Sequence, residues 1–419
     1  MTECLSRADT VASGVTGWGP VLTYGLVLAG SLLPSASVSA GLGQIQAEWG
    51  LSNAESALLY SAYQGGYILA VVLVLPQTDR LDARKVVAAG ALTTLAAGLL
   101  FPLLSRELFS AVLLRGIAGL GLGALYMPGM RVIARLYSGA RLGRAVGMYT
   151  AGYYVGNGAS LGLTGVFLAV LPWRSAFVGV VLIGSAIAAL MLWPVLRGAG
   201  WEPVVIARPS LRSTLDLPVL LITLGYCAHS WQLFAVWGWL APFLADALSG
   251  RSDLAPVAVA LAGTLSAVLL GLGAVGVYAG GLLSDRLGRT LTAATILGAG
   301  ALLSLSFGWL RTAPLPLLLP VGLVYGLSVS ASSAVYSASL SEIVDPGRLG
   351  ASLAFQATCG YLAGVAGPIV FGGLLDQVGK PAGWGAAYAS AGAAALVGAL
   401  AMLWLRRLPA ATRLAGGRR

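Results

Sequence analysis

Apolar runs long enough to cross a membrane follow one another along almost the whole chain, separated by short polar breaks. A spanning helix needs about 20 mostly apolar residues. Such runs lie near 21–43, 55–76, 86–104, 108–130, 145–169 and 175–196, then near 217–244, 256–283, 290–310, 314–338, 350–375 and 383–405. The pattern predicts an all-α polytopic membrane protein with twelve transmembrane helices, six on each side of a polar stretch. Residues 1–196 form the first six-helix bundle, 197–216 a linker with Arg197, Arg208, Arg212, Pro203 and Pro209, 217–405 the second bundle, and 406–419 a basic tail.

Composition narrows the class. Of 419 residues 58% are hydrophobic and 10% are charged, too few charges to cover a water-soluble surface. The 58 glycines show no collagen period, so they suit close helix approach in lipid. A net charge of +10 raises the question of nucleic acid, but the basic residues sit in short clusters between apolar runs rather than on one face. Cys4, Cys227 and Cys359 are too few and too scattered for a disulfide framework or a metal cluster. No cofactor and no metal are expected. The polar start up to Gly19 lacks the basic stretch, apolar core and cleavage site of a secretory signal.

Charge also orients the spans, because loops on the cytoplasmic side retain Lys and Arg. With both termini inside, nineteen of the 25 basic residues fall on the inner side and only Arg106, Arg174, Arg251, Arg311 and Lys380 on the outer. Arg115 is left within a span. The expectation is a multi-pass protein of the inner (plasma) membrane with both ends in the cytoplasm.

Two stretches of the chain repeat. GARLGRAVGMYTAGYYVG from Gly139 matches PGRLGASLAFQATCGYLAG from Pro346, about 207 residues on, with one extra residue in the second copy. Asp79-Arg80 and Asp285-Arg286 form a second pair, each between the second and third spans of its half. Two related six-helix halves follow. The loop GGLLSDRLGRT, with Gly281, Asp285, Arg286, Gly288 and Arg289, resembles the signature loop of the major facilitator superfamily. Its first copy, PQTDRLDARK, is degenerate: it keeps Asp79, Arg80, Arg84 and Lys85 and has Asp82 at the glycine position. The resemblance covers nearly the whole chain and implies a secondary transporter working by alternating access, with symport or antiport of protons as its coupling. An aspartate at a helix end beside arginines makes a charge-assisted latch that favours one packing of the helices.

Charged side chains at bilayer depth are costly and are functional candidates by default. Arg115 lies in LLRGIAGLGLG on the fourth span, similar to the family's helix 4 motif of arginine with glycine four residues on, here Gly119. In relatives that motif is linked to proton or substrate coupling. A guanidinium also suits an anionic group, while the plainer role is packing against carbonyls and a hydroxyl of the first span. His229, the only histidine, sits on the seventh span with Trp231 and Gln232. It is a candidate proton carrier because its ordinary pKa lies near neutrality. The family fold lines its central cavity with spans 1, 4, 7 and 10, which implies that Arg115 and His229 both face it.

The remaining polar candidates are Ser31, Ser35, Ser39, Tyr60, Tyr63, Gln64, Asn157, Tyr325, Ser332, Tyr336, Gln356 and Tyr361. No acidic residue falls mid-span, because Ser52-Asn53-Ala54-Glu55 reads as a capping box opening the second span. An organic cation therefore lacks a counter-charge, and the balance tilts to a small organic anion or polar metabolite. Multidrug efflux is the alternative. The drug-antiporter glycine-proline pair of the fifth span is replaced by Gly156-Asn157, and the arginines of nitrate porters in spans 2 and 8 are missing. An intramembrane enzyme would need a convergent catalytic set, and a channel a filter or charged ring. The expected partners are a small solute, protons and the lipid bilayer, without nucleic acid, and the expected assembly is a monomer.

Overall fold

The computed structural model describes residues 17–74, 81–137, 140–198 and 216–418. Asp79 and Arg80 lie outside these residues, as does most of the expected linker. Fifteen α-helices are present among the described residues. They are α1 Gly19–Leu32, α2 Ser37–Trp49, α3 Asn53–Leu73, α4 Ala83–Leu104, α5 Leu108–Leu136, α6 Ala140–Leu168 and α7 Trp173–Arg197. The second half holds α8 Leu217–Ser249, α9 Ala258–Gly271, α10 Gly273–Leu287, α11 Arg289–Phe307, α12 Leu315–Ala331, α13 Ser333–Ile343, α14 Pro346–Val378 and α15 Ala382–Arg407.

Three expected spans are broken. The first divides at Leu33–Ala36 around Pro34, the eighth at Leu272 and the tenth at Ser332. Proline removes a backbone donor and clashes with the preceding turn, which explains the first break. Counting broken spans as one, eleven helical stretches among the described residues are long and apolar enough to cross a membrane. Helix α6, with 29 residues, is not among them. Asn157, Ser160, Thr164 and repeated glycines dilute its apolar character, since it packs on protein along much of its length.

Helix starts follow local chemistry. Ser52 caps α3: its hydroxyl accepts from the Glu55 N–H at 3.1 Å, and the Glu55 carboxylate accepts from the Ser52 N–H at 2.9 Å. That is the reciprocal capping box the sequence predicts, and it assigns Glu55 to the helix end. Asp82 caps α4. Gly288 joins α10 to α11 at φ 92°, a conformation only glycine adopts without strain.

Within the first half α3 and α4 pack on α5, and α1 on α6 and α7; within the second, α8 packs on α14 and α15, and α10 on α12. The crossing of α3 and α5 depends on glycine: a methyl at Gly119 would sit 1.8 Å from the Tyr63 carbonyl oxygen. Two seams join the halves, α3 against α14 and α6 against α9. After α15 the chain folds back through Pro409–Gly417, a 3₁₀ turn followed by a kink at Leu414–Gly416, rather than trailing away. Ala411 and Leu414 are fully buried there, and the Ala415 N–H donates to Glu342 at 2.7 Å. The basic residues around them hide these two apolar anchors in the sequence.

Candidate functional site

The break between α1 and α2 frees carbonyls that a continuous helix would satisfy, and inside a bilayer each needs a partner. Arg115, on α5 and 3% exposed, supplies three bonds. Its Nη1 donates to the Pro34 carbonyl at 3.0 Å, Nη2 to Ser35 at 2.7 Å and Nε to Leu59 at 3.0 Å. The guanidinium lies 4.6 Å from the centre of the Tyr63 ring. From the other side, Asn157 Oδ1 accepts from Ser35 Oγ at 2.8 Å, and the Asn157 amide donates to the Tyr153 carbonyl at 2.9 Å. Ser160 closes the circuit by accepting from the Ala36 N–H at 3.1 Å and donating to Leu33. Arg115, Tyr63 and Asn157 thus meet at one broken helix. No carboxylate contacts Arg115, and no aspartate or glutamate is buried among the described residues.

The second polar centre lies in the other half, at the break between α12 and α13. His229 on α8 is 1% exposed, and its Nδ1 is 3.1 Å from Ser332 Oγ, the residue at the break. Tyr336 donates to the same Ser332 hydroxyl at 3.3 Å, and the His229 ring lies 5.7 Å from that of Tyr336. His229 Nε2 has no hydrogen-bond partner among the described residues.

Gln232 and Tyr325 go elsewhere. The Gln232 amide donates to Ser304 Oγ at 2.9 Å and Ser304 meets Tyr325 Oη at 2.6 Å, which ties α8 to α11 and α12. Gln64 is buried on α3. Tyr63 Oη, Trp231 Nε1 and Gln356 Nε2 are buried polar atoms without hydrogen-bond partners among the described residues. Tyr361 stacks on Tyr67 across the two halves, 4.4 Å between ring centres.

The loop carrying the resemblance is built within the second half. Arg289 Nη1 meets Asp285 at 2.6 Å and Nη2 meets Glu342 at 2.7 Å, so the end of α10 is tied to the end of α13. Arg418 of the folded-back tail donates to the Asp285 carbonyl at 2.8 Å. Arg286 is exposed, and Gly281 has no heavy atom within reach of an added methyl. In the first half Asp82 takes the matching part by accepting from Arg84 Nη2 at 2.7 Å. That bond holds the Asp82 carboxyl below the usual range.

Sequence reasoning missed Glu342, the tail contacts and the aromatic bridge from Tyr153 to Trp237, whose rings lie 5.9 Å apart across the halves. It also missed Asp376. This residue ends α14, yet it accepts from the N–H groups of Asn53 and Ala54 on α3 at 2.9 and 2.8 Å. Nothing in the motif around Asp376 marks it, because its partners lie 322 and 323 residues away.

Comparison with known proteins agrees with this architecture. The chain is 23% identical to a hexuronate transporter of Bacillus subtilis over 92% of its length and 93% of the relative's. It is 26% identical to a cis,cis-muconate transport protein of Acinetobacter baylyi over 78% of this chain and 83% of that one. Its fold matches the crystal structure of a D-xylose-proton symporter with a TM-score of 0.72, at 18% identity, over 94% of this chain and 98% of that one. The model of the Major Facilitator Superfamily matches residues 22–323 and 222–419. The chain belongs to the Major Facilitator Superfamily and is a multi-pass membrane protein, a secondary transporter that works by alternating access.

Proposed function

We propose that this transporter carries a small organic anion together with protons, and that Arg115 sets the sign of its cargo. The observation that carries the reading is a buried guanidinium surrounded by neutral dipoles, with no acidic group beside it. In a low-dielectric interior such a charge is weakly screened. A carboxylate arriving near it gains that attraction, while an organic cation meets repulsion and no counter-ion. The two relatives named for hexuronate and muconate, both carboxylates, support the same sign of charge. The proton is assigned to His229, whose Nε2 is buried and unpartnered while Nδ1 is oriented by Ser332.

The wider arrangement belongs to the same proposal. Counting α6 as the fifth span gives twelve spans in two six-helix bundles, and the basic asymmetry puts both termini in the cytoplasm. The loop at Asp285 and Arg289 then lies on the cytoplasmic side, where it stiffens one half and biases the rocking of the two. Counterflow in proteoliposomes tests the cargo. Vesicles preloaded with pooled carboxylates, sugars, amino acids or lipophilic cations are assayed for exchange of labelled members of each class. Exchange confined to the carboxylates is expected; exchange confined to lipophilic cations would overturn the reading.

A further inference from the structure

We infer that Asp376 is the residue that closes the transport path at the membrane face opposite the termini, by capping helix α3 of the other half. Its carboxylate accepts three bonds from one helix start. Oδ1 receives the Asn53 N–H at 2.9 Å and the Asn53 side-chain amide at 2.7 Å, and Oδ2 receives the Ala54 N–H at 2.8 Å. The first turn of a helix has unpaired N–H groups and a positive dipole end, so a carboxylate there is stabilised twice over. The contact spans the halves, since Asp376 ends α14 while Asn53 opens α3.

Two further observations place a closed gate here. Gly372, one turn before Asp376, lets the backbones touch: a methyl on it would stand 2.5 Å from the Asn53 carbonyl oxygen. Deeper along the same pair of helices, Ser61 Oγ donates to the Val365 carbonyl at 2.7 Å, and Tyr67 stacks on Tyr361. Alternating access requires this end to separate once per cycle. Asp376 is exposed, so water replaces its bonds as the helices part, which suits a contact that must break repeatedly. The own cap of α3, between Ser52 and Glu55, stays intact when Asp376 leaves. The proposal rests on alternating access alone and stands or falls independently of the anion.

The test uses spin-label distances in vesicles, with no substrate needed. Val170→Cys and Thr312→Cys, one exposed position on each half at this end, are labelled in a background with Cys4, Cys227 and Cys359 replaced by serine. A dominant short distance is expected for the parent. Asp376→Ala is expected to raise the ratio of separated to closed molecules about tenfold, the effect of losing one charge-assisted contact worth about 1.4 kcal/mol or more. Asp376→Asn, which retains one acceptor oxygen, should fall between. Gly372→Ala wedges the same contact with Asp376 in place and should shift the population in the same direction. It decides the matter should Asp376→Ala fail to insert. Parental distances in both Asp376→Ala and Gly372→Ala would overturn the proposal.

Discussion

Two of the three helix breaks, at Pro34 in the first half and at Ser332 in the second, are finished differently. Around Pro34 the freed carbonyls of Pro34 and Ser35 are taken by Arg115, the Ala36 N–H by Ser160, and the Ser35 hydroxyl by Asn157. Around Ser332 the network stops short, leaving His229 Nε2 buried and without a bond. A saturated network fixes a shape, whereas an incomplete one leaves a group free to take up a proton or a ligand. Under the proposed function, the first break holds charge and geometry and the second handles the proton.

The sharpest way to break this comparison is at Arg115. Arg115→Ala removes the charge and leaves the carbonyls of Pro34 and Ser35 at the break without partners, so a stability loss of at least about 3 kcal/mol is expected. Thermal unfolding in detergent reads that loss, and Arg115→Lys, which keeps the charge but not the three-way geometry, should recover only part of it. His229→Gln probes the other side. Its amide takes the place of Nε2 rather than of Nδ1 and gives up the bond to Ser332, so a stability loss of about 1 kcal/mol is expected, while anion uptake loses its dependence on the proton gradient and counterflow persists. A His229→Gln protein that still uses an inward proton gradient to concentrate its substrate would assign the proton elsewhere.

The order of these effects also shows what the sequence discloses. Apolar run length fixed most span positions because the bilayer imposes a single scale, so Leu108–Leu136 and Ala382–Arg407 were readable within a few residues. The break at Pro34 was signposted by its proline and that at Leu272 only by Gly271 and Gly273 in a glycine-rich chain, whereas the break at Ser332 has neither beside it. Arg115 and His229 stood out because ionisable groups are rare in lipid. Their partners did not, since Pro34, Ser35 and Leu59 contribute backbone carbonyls, which every residue possesses. Gln232 and Tyr325 looked equivalent to the other polar candidates, and only helix rotation turns them toward Ser304 on α11. Asp376 was illegible for the same reason, its role being created by a helix from the opposite half.

Smaller perturbations sharpen the contrast. Asn157→Ala frees Ser35 Oγ, which retains its 2.5 Å bond to the Leu32 carbonyl, so the saturated break should lose only about 0.6 kcal/mol. Unfolding midpoints check this against Arg115→Ala. The smallest expected effect is at Asp82. Its bond with Arg84 depresses the folded carboxyl below its unfolded value, so the contribution is present above the unfolded pKa and is lost as pH falls through the folded one. Asp82→Asn should lower the midpoint slightly at neutral pH, where the parent carries this contribution, and converge on the parent in acid, so that the acid limb of the midpoint against pH is flatter.

The central claim, that an anion moves with protons under the influence of an uncompensated Arg115, is tested most directly by the internal pH of proteoliposomes that start with no ion gradient. Adding a carboxylate substrate outside should acidify the lumen in the parent, with no acidification in His229→Gln or Arg115→Ala. Lumenal alkalinisation on adding a lipophilic cation, with no response to any carboxylate, would contradict the account.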